Sequence, residues 1–159
     1  MLFNRQKAIA YAKEWAFARN PAYYNFDTVG GDCTNFVSQC LFAGGCLMNF
    51  TKDTGWYYRS SKDRAAAWTS VHYLHRFICN NKGIGPYGHV CEMNEAEIGD
   101  IIQLSFDGVQ FTHSLLLTNK IQNEAFVSTH TYDAYNRPLN SYFYQKIRVI
   151  HIDGIRNQV

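Results

Sequence analysis

The chain has 159 residues, enough for one domain spanning 1–159 that buries a core of its own. Hydrophobic residues make up 47% and charged residues 18%, which excludes a disordered or fibrous chain. A formal net charge of +2, with no block or stripe of Lys and Arg, excludes the phosphate-neutralising surface of a nucleic-acid binder.

The elements follow in chain order. Ala8, Ile9, Ala12, Trp15 and Ala16 recur at helical intervals and predict a first helix over Arg5 to Arg19, ended by Pro21. "GGDCTNFVSQC" comes next, with Cys33, Phe36, Val37, Cys40 and Leu41 forming the apolar stripe of a second helix that stops at Gly44-Gly45. Residues 49–62 are polar and aromatic without a period and predict a loop, in which Trp56 and Tyr57, with Trp68 beyond it, are candidates to wall a substrate groove. A third helix is predicted over Arg64 to Cys79, capped by Asp63, with Ala67, Val71, Leu74 and Ile78 buried. Residues 82–95 carry Gly, Pro and Asn and read as irregular.

From Asp100 onwards the texture changes. "DIIQLSF", "FTHSLLLTN", "AFVSTHTY" and "SYFYQKIRVIHI" are rich in β-branched and aromatic residues separated by turn signals. Helices first and strands later predict an α+β fold, its N-terminal helices packed on an antiparallel sheet.

Cys33 is the candidate nucleophile. The thiolate is the reactive form of cysteine, and a helix N-terminus favours negative charge through its free N–H groups and its macrodipole. Gly30 and Gly31 supply turn geometry and room for a substrate, Asp32 is placed to cap the helix, and the first N–H groups, around Asp32 and Thr34, can hold an oxyanion. The base must be a histidine from the strands. His113 begins one predicted strand and His130 ends the next, so a hairpin through "NKIQNE" would set them opposite each other, about 5 Å apart at Cβ. One would serve as base and the other as its orienter, with Asp133 as the alternative third residue.

Other chemistries find less support. Cys33 and Cys40 are about 10 Å apart along a helix, too far to share a zinc ion. His72 and His75 share a helix face without a third ligand, and His89 and His151 stand in no chemical context. There is no Walker motif and no GxGxxG, and Ser38 and Ser114 lack a nucleophile elbow. No metal or organic cofactor is expected. Five cysteines without a Cys-x-x-Cys pair suit a reducing compartment, and the absence of a secretory signal and of a membrane span predicts a cytoplasmic location, or an extracellular one if the chain is a fragment.

"NRQKAIAYAKEWAFARNPAYYNF", "GGDCTNFVSQCLFAGG", "GWYY", "AAAWT", "GDIIQLSF", "THSLLLT" and "STHTYDAYNRPL" resemble the bacterial putative amidase domain family over nearly the whole chain. That family resembles a branch of the papain-like cysteine peptidases and amidases, akin to the NlpC-type and CHAP hydrolases. The resemblance implies a papain-like fold, Cys33 as nucleophile, His113 as base and His130 as third residue. CHAP-type relatives carry a carboxylate or amide in the third role, which keeps Asp133 open. The function implied is hydrolysis of an amide through a thioester, on a peptide or other amide substrate, peptidoglycan-derived peptides among them. Acyl transfer or deamidation at the same Cys-His site, and a non-catalytic module that binds cell-wall peptides, are the alternatives.

Overall fold

The computed structural model describes residues 1–158 and shows an α+β arrangement of helices on one face of a six-stranded antiparallel sheet. The first helix, α1 (Arg5–Trp15), starts where the Asn4 side chain accepts the Lys7 N–H. It ends four residues short of the predicted Arg19. The Trp15 carbonyl accepts both the Ala18 N–H and His130 Nε2, so the last turn tightens and the chain turns away.

Helix α2 (Cys33–Ala43) lies at the centre of the helical layer, and every residue from Cys33 to Leu41 is buried. A helix buried all round must satisfy its polar side chains internally. Thr34 Oγ1 meets Ser114 Oγ at 2.9 Å, and Tyr11 donates to Gln39 Oε1. Ser38 Oγ donates to the Trp68 carbonyl and accepts from Trp56 Nε1, while Asn35 Oδ1 accepts from Trp68 Nε1. The polar letters of "CTNFVSQC" are thus packing contacts with the rest of the molecule.

The predicted third helix is two helices. A small hairpin of β1 (Tyr58–Ser60) and β2 (Asp63–Arg64) takes up Asp63, so Asp63 is not a cap. Short α3 (Ala66–Thr69) is separated from α4 (Val71–Asn80) by Ser70, whose extended backbone breaks the helix and whose side chain caps α4 through the Tyr73 N–H. The break turns Trp68 inward. Leu74, Phe77 and Ile78 are the buried stripe of α4, and Val71 is only half-buried.

The sheet comprises β3 (Gly85–Cys91), β4 (Ile101–Ser105), β5 (His113–Ile121), β6 (Glu124–Thr129), β7 (Ala134–Pro138) and β8 (Lys146–Arg156), in the order β3-β8-β4-β5-β6-β7. The two edge strands were illegible in the sequence. β3 carries Gly85, Pro86 and Gly88, residues tolerated at a sheet edge, and a Cβ at Gly88 would stand 1.9 Å from the His151 carbonyl oxygen. β7 ends at Pro138 and holds Asn136 in left-handed geometry, which reads as a turn.

Both faces of the sheet are apolar. Ile101, Leu116, Ile150 and Ile152 face the helices and pack with Ala12, Phe36, Val37, Leu41 and Leu74. Ile102, Leu104, Leu115, Leu117 and Val149 face the other way, under segments that contribute Ala96 and Leu139. This is why the strand runs "IIQL" and "SLLL" look continuous rather than alternating. No helix among the described residues is long and apolar enough to cross a membrane.

Candidate active site

Gly30 and Gly31 both take positive φ, +83° and +94°, as the turn into α2 requires. That turn delivers Cys33 as the first residue of the helix, almost fully buried. Its Sγ lies 3.8 Å from Thr34 Oγ1, which in turn meets the Oγ of Ser114, the residue after His113, at 2.9 Å. Burial pushes the thiol above its ordinary range and the charge of Asp32 adds to this, while the Ser114 and Thr34 N–H groups and the Thr34 hydroxyl pull against it. Desolvation therefore outweighs the helix N-terminus, and the resting group is the thiol.

Asp32 occupies the N-cap position but does not cap. Its Oδ1 accepts from the Phe26 N–H at 2.8 Å and from Asn35 Nδ2 at 2.9 Å, and its Oδ2 meets His130 Nδ1 at 2.5 Å. The carboxylate is drawn away from the helix by a stronger, charge-assisted partner. The first intrahelical bond runs from the Phe36 N–H to the Asp32 carbonyl, so the N–H groups of Cys33, Thr34 and Asn35 have no acceptor within the helix.

His130 is engaged on both ring nitrogens, Nδ1 with Asp32 and Nε2 donating to the Trp15 carbonyl at 2.8 Å. Its ring lies 4.2 Å from that of Phe36, centroid to centroid. The expected pairing with His113 is not made, for a reason of register. Leu116 stands opposite Ser128, and two residues further along each strand this sets Ser114, not His113, opposite His130. Thr129 Oγ1 donates to the Ser114 carbonyl at 2.8 Å, in keeping with that alignment. One residue of offset puts the two histidines on opposite faces.

Asp133 also stays away from His113. Arg19 binds Asp133 and Asp27 through bidentate contacts of 2.9–3.1 Å and approaches Asp32 at 3.7 Å. Arg19 thus ties the segment after β6 to the turn that carries Cys33, a role that its position beyond the predicted helix did not suggest.

His113 opens β5 at the edge of a cleft of roughly 560 Å³. Phe106, Tyr132, Arg137, Tyr142 and Phe143 line the same cleft, and none of them was singled out from the sequence. The His113 ring lies 6.3 Å from Phe106 and 6.2 Å from Tyr142, between centroids. Burial, and then the positive charge of Arg137, push its imidazole down to about 4. It is therefore neutral at pH 7. Thr131, another lining residue, reaches back towards the turn that precedes Cys33, since a Cβ on Gly31 would stand 3.4 Å from its Oγ1. Thr131 thus brings the cleft up to the turn before Cys33, whereas Cys33 itself does not line the cleft and no hydrogen bond joins it to the His113 ring among the described residues.

The predicted groove aromatics lie elsewhere. Trp56 and Trp68 are fully buried, 4.7 Å apart between ring centroids, and belong to the core under α2. Tyr57 is half-buried beside Phe50 and Arg59. Nothing in the local sequence separates a wall tryptophan from a core tryptophan, because both need a partner for Nε1.

Comparison with known proteins gives a family and two relatives. The family described as "Putative amidase domain" matches residues 3–152. "Uncharacterized protein YhbB" of Bacillus subtilis (strain 168) is 34% identical over 136 residues, covering 83% of this chain and 42% of that protein. "Uncharacterized protein YjcM" of the same organism is 23% identical over 158 residues, covering 94% of this chain and 36% of that protein. The chain spans less than half the length of either relative. No solved structure gives a significant match.

Proposed function

Because the chain belongs to the putative amidase domain family, we propose that it hydrolyses an amide bond through a thioester on Cys33, with His113 as general base and acid and with a papain-like arrangement of the two. The observation that carries this reading is the placement of Cys33. It is the first residue of a central helix, follows a two-glycine turn, and its Sγ lies 3.8 Å from Thr34 Oγ1, which meets the hydroxyl of Ser114, the residue next to His113, at 2.9 Å.

The steps follow from the resting states of the two groups. His113, neutral at pH 7, takes the proton of the Cys33 thiol as Sγ attacks the carbonyl carbon. The N–H groups of Cys33, Thr34 and Asn35, left without helical acceptors, support the developing oxyanion. An imidazolium held in so unfavourable a site gives up its proton readily, which suits donation to the leaving amine as the C–N bond breaks. Water, deprotonated by the same ring, then attacks the thioester and releases the acid and the thiol. His130 acts one step removed, by holding Asp32 and hence the turn into Cys33.

The test is trapping and turnover. Incubation with peptide amides, muropeptides included, should give an acyl-enzyme seen by intact mass on Cys33, and Cys33→Ala should lower turnover by at least about 10³-fold. Full activity of Cys33→Ala on a cleaved substrate would overturn the reading. Products formed with and without an added amine distinguish hydrolysis from acyl transfer, which would share the thioester.

A further inference from the structure

We propose that the cleft beside His113 selects amide substrates carrying a carboxylate close to the scissile bond, and that Arg137 binds that carboxylate. This rests on the amidase reading above and names its substrate class.

Among the described residues lining the cleft, Arg137 is the one with a permanent charge. Its guanidinium is held ready rather than used up. Nε donates to Ser141 Oγ at 2.7 Å and Nη2 to the Ser141 carbonyl at 3.2 Å, while the group stacks 3.9 Å over the Tyr142 ring. Arg137 forms no ion pair among the described residues, and Nη1 has no hydrogen-bond partner there. A planar, oriented cation without a carboxylate of its own is the group that recognises one on a ligand.

Tyr142 gives an independent indication. Its hydroxyl is buried and has no hydrogen-bond partner among the described residues, while the Arg137 guanidinium stacks on its ring and its charge favours negative charge on that oxygen. Buried polar groups are ordinarily satisfied, and a ligand oxygen would satisfy this one. The lip of the cleft is built for contact as well. Thr131 and Tyr132 both adopt left-handed backbone, φ +64° and +57°, an unfavourable geometry for such side chains. Tyr132 is 88% and Phe143 97% exposed, so aromatic surface surrounds the cation.

The cation also couples recognition to chemistry. Arg137 is the second cause, after burial, of the lowered proton affinity of His113. A substrate carboxylate set against Arg137 offsets that charge, so His113 becomes a better base only when the anionic substrate is in place.

The experiment compares peptides that differ only in Asp or Glu against Asn or Gln near a scanned amide, each with a free or an amidated C-terminus. Relative kcat/KM is read for the wild type, Arg137→Ala and Arg137→Lys, and binding of the same peptides is read on Cys33→Ala by calorimetry. The wild type should prefer the carboxylate-bearing peptides by about 10–100-fold. Arg137→Ala should bring the preference close to unity, and Arg137→Lys should keep part of it. The paired termini show whether a side chain or a chain end supplies the carboxylate. Equal cleavage and equal binding of acidic and neutral peptides by the wild type, or an acidic preference that survives Arg137→Ala, would overturn the proposal. Cleavage that persists in Cys33→Ala would instead sink the thioester mechanism, while the binding comparison would still decide the role of Arg137.

Discussion

His113 shows how an environment sets the state of a single side chain. With its imidazole pushed from 6.5 down to about 4 by burial and then by Arg137, the folded protein binds this proton less well than the unfolded chain does. Above pH 6.5 both states are neutral and the residue costs nothing. As pH falls from 6.5 to 4 the unfolded state takes up the proton first, so stability is lost, and below 4 the loss stops growing. The whole effect is about 3 kcal/mol. His113→Gln should therefore flatten the pH dependence of unfolding between 6.5 and 4, as measured by urea titrations at each pH, and an unchanged slope would contradict the assigned environment. The sequence showed that His113 starts a strand. It did not show Arg137, which lies 24 positions further along and joins it only through the fold. The same holds for Asp32. As the residue before a helix it reads as a cap, but a buried histidine, a guanidinium and the Phe26 N–H take its oxygens in place of the N–H groups of the helix.

At the scale of the element, α2 carries the argument. Its start is legible because only glycine suits the two left-handed positions before it, and its extent is legible from the apolar spacing. Its depth of burial is not, since Thr34, Asn35, Ser38 and Gln39 look like a solvated face. Each instead has a partner elsewhere in the molecule. Ser38 has two, and both end on the tryptophan pair. Ser38→Ala should cost about 1–3 kcal/mol in urea unfolding, because the buried Trp56 Nε1 would lose its acceptor. A loss below a few tenths would mean that the Ser38 bonds do not stabilise the helix. The strands divide similarly. β4, β5, β6 and β8 stand out as β-branched and aromatic runs, whereas β3 and β7 hide behind glycine and proline that an edge position permits.

At the scale of the whole molecule, core and cleft each draw on aromatic residues that the sequence does not distinguish. Trp56, Trp68, Phe36 and Phe77 fill the core beneath the central helix. Phe106, Tyr132, Tyr142 and Phe143 surround the cleft at the end of β5. Trp68→Ala should destabilise the fold by about 3–5 kcal/mol. Phe143→Ala should stay within about 0.5 kcal/mol, because a residue 97% exposed loses almost no packing. Thermal and urea unfolding of the two variants would test the division, and a large loss in Phe143→Ala would move it into the core.

By itself the sequence determined the helix that begins at Cys33, the glycine turn before it, the antiparallel run that contains His113 and the α+β class, because each depends on residues adjacent or at short period. Only the tertiary structure decided that Asp32 pairs with His130, that the two histidines lie on opposite faces, and that Arg137 faces His113. Those outcomes depend on partners as far as 98 residues apart and on strand register, where a shift of a single position exchanges one face for the other.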